Sequence, residues 1–134
     1  MSGHTSLNTF IFSDKIDAVY MYEMYENDYG YIETMFKAIL DGFKEDLAAI
    51  RDNYLQKTLE SLRKSSHKIK PTFGFAGMLD VQEKCKEFES KCQVVKSVGE
   101  LETDFPALIK CLEEAGVIVT EEYKKLKAFN KSGS

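Results

Sequence analysis

Ser65-Ser66-His67-Lys68-Ile69-Lys70-Pro71-Thr72-Phe73-Gly74-Phe75-Ala76-Gly77 is the stretch that decides the fold of this 134-residue chain. Together with the residues just before it, it carries Leu59, Leu62, Ser66, Ile69, Phe73 and Ala76 at spacings of 3, 4, 3, 4 and 3. That spacing is the seam of an amphipathic helix packed into a bundle. At about 100° per residue, His67 stands roughly 130° from the centre of the seam, which predicts a solvent-facing ring. The outward row through it reads Glu60, Arg63, Lys64, His67, Lys70, Pro71 and Gly74. One histidine is set among cations, and side-chain bulk falls away toward Gly74.

The same spacing recurs on both sides. Upstream, Ile32, Phe36, Ile39, Phe43, Leu47 and Ile50 predict a long helix from the Asn27-Asp28-Tyr29-Gly30 turn to about Arg51. Asp52-Asn53 interrupts that pattern, and Asn53 with Gln56 predicts a capping box for the His67 helix, which should end near Gly77. Downstream, Met78, Val81, Cys85, Phe88, Cys92 and Val95 predict a helix over about 78–98, terminated by Gly99. Asp104 and Pro106 open a last helix whose seam is Phe105, Leu108/Ile109, Leu112, Gly116, Val119, Tyr123 and Leu126. Gly116 within that seam predicts a close helix approach. A short helix capped by Ser13 or Asp14 and reaching about Tyr25 should turn Ile16, Val19, Tyr20 and Met24 inward. The expected fold is all-α: an up-down-up-down antiparallel four-helix bundle with a short additional N-terminal helix, over residues 13–130. Residues 1–12, His4 among them, are expected to form a flexible N-terminal segment, and 131–134 a frayed C-terminus.

Composition narrows the function classes. A hydrophobic content of 43% with 30% charged residues is that of an ordinary globular domain. A net charge of −4 argues against general nucleic-acid binding. No apolar run approaches the roughly 20 residues of a membrane span, and the first residues lack the basic and apolar regions of a signal peptide. Cys85, Cys92 and Cys111 show neither metal-ligand nor Cys-x-x-Cys spacing, and they read as thiols of a reducing compartment, the cytoplasm. There is no phosphate-binding glycine loop followed by Lys-Ser/Thr, no kinase motif set and no Glu-x-x-His pair. No metal or cofactor is therefore expected. The candidate chemistry that remains is a nucleophilic His67.

His67, Lys70, Gly74 and Gly77, with Lys68 at an often basic position, resemble the pattern of the histidine-containing phosphotransfer (HPt) domains of multistep two-component relays. Pro71 departs from that pattern, which usually has a small residue there, and Ser66 stands where alanine is common. The likeness of layout extends over about residues 14–129. It implies the same bundle, with His67 as phospho-acceptor and Lys70 as stabiliser of the phosphoryl oxygens. Lys68, pointing about 100° away, is a weaker candidate for that role. Arg63, Lys64, Pro71, Gly74, Phe75 and Met78 are the expected partner-docking residues. The resemblance also implies the partners. The receiver domain of a hybrid sensor histidine kinase, carrying phospho-aspartate and its own Mg²⁺, would be the donor. The receiver domain of a response regulator would be the acceptor. The chain would be a monomeric phosphocarrier without direct membrane contact, and not a kinase or a metal-dependent enzyme.

Physical chemistry fits that role. Imidazole titrates near neutrality, so a neutral nucleophile is available at cellular pH. Neighbouring cations oppose a further charge on the ring and attract phosphoryl oxygens. Plainer readings are an inert surface histidine on a solvated cationic face, and a helical interaction module that binds receiver domains without phosphotransfer. A bundle enzyme is a third, disfavoured by the missing motifs. Pro71 lacks the N–H that would pair with the His67 carbonyl, which predicts a local bend over 67–71.

Overall fold

The structure, a computed structural model, describes residues 9–132. Its helices are α1 (Ala18–Tyr25), α2 (Tyr29–Leu55), α3 (Leu59–Phe75), α4 (Leu79–Val94) and α5 (Asp104–Ser132), with a 3₁₀ turn at Val98–Leu101 before α5. Helices α2, α3, α4 and α5 pack in a closed ring, each against the next and α5 back against α2. This is the expected all-α antiparallel bundle, with α1 as the additional helix.

The seams form its core. Phe36, Ile50, Leu62, Ile69, Phe73, Cys85, Leu112, Val119 and Leu126 are all fully buried. Burying one such aliphatic or aromatic side chain is worth about 1.5–3 kcal/mol, so the 3/4 periodicity is enough to drive the four helices together. Ser66 lies in the seam with its hydroxyl satisfied, because it donates to the Leu62 carbonyl at 2.8 Å. Gly116 permits the close approach anticipated for it: a Cβ there would stand 2.7 Å from Phe43 Cε2 on α2.

Helix boundaries moved in three places. Asn53 is not an N-cap. It lies inside α2, and its amide donates across to Ser61 O and Ser65 Oγ of α3, each at 3.1 Å. The chain turns later, where Lys57 adopts a left-handed φ of 57° and Thr58 begins α3. Helix α4 stops at Val94 rather than near residue 98. Ser97 and Glu100 then form a capping box on the 3₁₀ turn, which leaves Gly99 inside that turn instead of ending a helix. The third change is at α1, capped by Asp17 through a 2.9 Å bond from the Tyr20 N–H. The later start shifts the phase, so Met21 and Tyr25 are buried while Val19 is 69% exposed.

The stop after α3 is where the glycine placed it. Gly77 has a φ of 72°, and the Met78 N–H returns to the Phe73 carbonyl at 2.8 Å. Helix α3 continues through Pro71 to Phe75. Of the segment expected to be flexible, residues 1–8, including His4, lie outside the described residues. Residues 9–12 lie on the bundle: Phe10 is buried, with its ring 5.5 Å from that of Phe129. The Ser13 N–H then donates to the buried Glu122 carboxylate at 2.8 Å. Residues 131–132 are still helical, and 133–134 lie outside the described residues.

Candidate functional site

Helix α3 presents its outward row between α2 and α4. At its first turn Glu60 pairs with Arg63 at 2.8 Å, aligning the side chains that precede His67. The His67 side chain is 63% exposed, as its phase on the helix requires. Its Nδ1 lies 2.8 Å from Oε2 of Glu89 on α4. Lys70 Nζ donates to the other oxygen of the same carboxylate at 3.0 Å, and Arg63 Nη1 stands 4.0 Å from Oε2. Glu89 thus gathers three groups of α3 with only 11% of its own side chain exposed.

This contact fixes the tautomer. An ionised carboxylate only accepts hydrogen bonds, so Nδ1 carries the proton, and in the neutral ring Nε2 then keeps its lone pair toward solvent. Burial pushes the Glu89 carboxyl up, but the hydrogen bonds from Lys70 and His67 and the charge of the Lys70 ammonium outweigh it. They hold the group below the ordinary carboxylate range. The pair is preorganised: a ring with one orientation and one available nitrogen.

The expected cations divide. Lys70 is only 24% exposed and is tied to the same carboxylate that holds His67. Lys64 is 69% exposed, 4.0 Å from Glu60. Lys68 turns away, and its ammonium meets Asp46 of α2 at 3.3 Å. The docking residues divide as well. Pro71 is exposed and Phe75 is 46% exposed, beside a bundle end where α1 also leaves Val19 and Tyr22 outward. Met78 is only 3% exposed and cannot supply docking surface, because it belongs to the core under α1. Gly74 is buried, not a bare patch. A Cβ there would stand 2.6 Å from Nε2 of Gln82, so the missing side chain makes room for α4.

Sequence reasoning did not single out Glu89 or Gln82. The one signal for Glu89 was an acid wedged beside the Cys85–Phe88–Cys92 stripe, where a solvated residue does not belong. The cysteines themselves are inert. Burial pushes Cys85 up to about 12 and Cys92 up to about 11. Among the described residues no group of three or more His, Cys, Asp or Glu could hold a metal ion, and no helix is long and apolar enough to cross a membrane.

The outward face of α3 thus carries one oriented, exposed histidine with a lysine a turn away. The Hpt domain family matches residues 34–117, well over half of the chain, and the chain belongs to that family. The match runs from the first turns of α2 into the middle of α5. Among solved structures, the chain is similar to the HPT domain from the Hpt sensor hybrid histidine kinase from Shewanella. The TM-score is 0.72 at 19% identity, covering 83% of this chain and 95% of that one. At that identity the likeness carries the fold alone. No curated protein matches.

Proposed function

We propose that the chain is a phosphocarrier of a two-component phosphorelay, with His67 as the acceptor. The observation that carries this reading is the 2.8 Å contact from His67 Nδ1 to Glu89, which leaves Nε2 exposed as the nucleophile. The Nε2 lone pair attacks the phosphorus of a receiver-domain phospho-aspartate, and the aspartate carboxylate leaves. Lys70, held within one turn, attracts the phosphoryl oxygens in the in-line transition state, where positioning and electrostatics dominate. Arg63 and Lys64 add to that field, whereas Lys68 spends its charge on Asp46.

The partners are the receiver domain of a hybrid sensor histidine kinase and that of a response regulator. Each brings its own Mg²⁺, since this chain's site consists of cations and a single carboxylate. Docking uses the exposed Pro71 and Phe75, which follow His67 along α3. The carrier works as a cytoplasmic monomer. Incubation with a phosphorylated receiver and Mg²⁺ tests the reading. Acid-labile label should enter the native protein and be lost in His67→Gln, whose helical content stays native. Binding of the receiver without any label would make the chain an interaction module instead.

A further inference from the structure

The contact between His67 and Glu89 has a consequence for the phosphorylated carrier. Once Nε2 carries a phosphoryl group, a neutral ring has no hydrogen left on Nδ1. Its lone pair would then face Glu89 Oε2 across 2.8 Å, two acceptors with no proton between them. Lys70 would still bond the other oxygen, but setting two lone pairs against each other at Oε2 is costly. If Nδ1 keeps its proton, the hydrogen bond survives and gains an opposite charge.

We propose that Glu89 holds the proton on His67 Nδ1 through the whole transfer cycle, so that the phosphorylated carrier exists as a short-lived phosphoimidazolium. The proposal rests on His67 being the acceptor and makes Glu89 a positioning residue for it. On loading, the Nε2–P bond forms as the P–O bond of the aspartyl phosphate breaks, and its electron pair returns to the carboxylate. The ring is left positive with Nδ1–H in place. On unloading, an aspartate oxygen attacks phosphorus, the P–Nε2 bond breaks and its pair returns to Nε2. The ring is again neutral with the same Nδ1–H. Hydrolysis differs only in that water attacks and gives up a proton to solvent, yielding inorganic phosphate. No proton enters or leaves the ring, and the leaving group is a neutral imidazole.

The charges around the ring allow this. From α3 come Arg63, Lys64 and Lys70, with Glu60 paired to Arg63 at 2.8 Å and 4.0 Å from Lys64. Lys68 is turned to Asp46 of α2, and α4 contributes Glu89 and, one turn before it, the exposed Lys86. The cations oppose a charged ring, and the anionic phosphoryl group offsets them. Glu89 decides the balance because it alone shares the Nδ1 proton. Lys70 on its other oxygen keeps it ionised.

The test uses potassium phosphoramidate, which phosphorylates exposed histidines without a partner protein. His67→Gln serves as the blank for His4. Loss of the label is followed by ³¹P NMR from about pH 6 to about pH 9, across the range where imidazole titrates. Native protein should lose phosphate at a rate nearly independent of pH. In Glu89→Gln the amide can turn its NH₂ toward a bare Nδ1, so loss should slow by roughly tenfold per pH unit above neutrality. Parallel profiles for the two proteins would overturn the proposal while leaving His67 as acceptor. Absence of His67 label from both phosphoramidate and a phosphorylated receiver would overturn the acceptor reading, and the proposal with it. A second readout needs no variant. In ¹⁵N-histidine-labelled native protein, Nδ1 of the phosphorylated ring should keep a protonated shift up to about pH 9. A transition to a bare nitrogen near neutrality would refute the proposal.

Discussion

The α2–α5 and α3–α4 halves of the bundle each bring two helices together at a glycine, and the two glycines meet different neighbours. A Cβ on Gly116 would strike the Phe43 ring at 2.7 Å, whereas one on Gly74 would strike the amide end of Gln82 at 2.6 Å. Rings resist displacement in a packed interface, but the tip of a flexible side chain does not. The polar ties differ in the same sense. Between α2 and α5, Asn130 donates to the Tyr29 carbonyl and the Glu33 carboxylate, and Arg51 pairs with Glu113; these ties join the helices. Between α3 and α4, one carboxylate holds the His67 ring and the Lys70 ammonium. One half is scaffold. The other keeps its charges oriented and its edge adaptable.

Substitutions can break or sharpen that contrast. Lys70→Ala should have the largest effect, raising the barrier for phosphoryl transfer by about 2–4 kcal/mol, the range for removing one oriented donor from a developing anion. Single-turnover transfer from a labelled receiver measures it, and a rate within threefold (about 0.7 kcal/mol) of native would remove Lys70 from the mechanism.

Next comes Gly116→Ala, which overpacks the Phe43 contact. It should lower stability by about 1–3 kcal/mol in denaturant unfolding and leave transfer per folded molecule unchanged. Gly74→Ala should be milder. Alanine gains up to about 1 kcal/mol of helix propensity while Gln82 swings outward, so net stability should stay within about 1 kcal/mol of native. A loss as large as that of Gly116→Ala would erase the distinction between the halves. Smallest is Lys68→Ala. Its surface pair with Asp46 is worth about 0–1 kcal/mol, and transfer should not change.

The bundle was legible because its four seams repeat the same 3/4 spacing, and Gly77 ended α3 because only its left-handed φ fits there cheaply. Other features required information that periodicity does not carry. Asp52-Asn53 looked like a breaker, yet Asn53 stays helical because Ser61 and Ser65 of the next helix receive its amide. The true stop uses Lys57 at positive φ, a residue type with no turn signature. His67 and Lys70 could be placed on one face from spacing alone. Glu89 could not, since it joins them only through the register of α4 against α3. That same register turned Gly74 from an expected open patch into a buried contact, and the shifted phase of α1 put Val19 outside.

The most direct measurement is the position of the phosphoryl group on the ring. Native protein loaded by a phosphorylated receiver with Mg²⁺, and examined by ¹H–¹⁵N and ³¹P NMR, should carry phosphate on Nε2 of His67 with Nδ1 still bonded to Glu89. Phosphate on Nδ1 would require the 2.8 Å contact to be absent in solution. Undiminished label in His67→Gln would place the acceptor elsewhere. Either result would contradict the account.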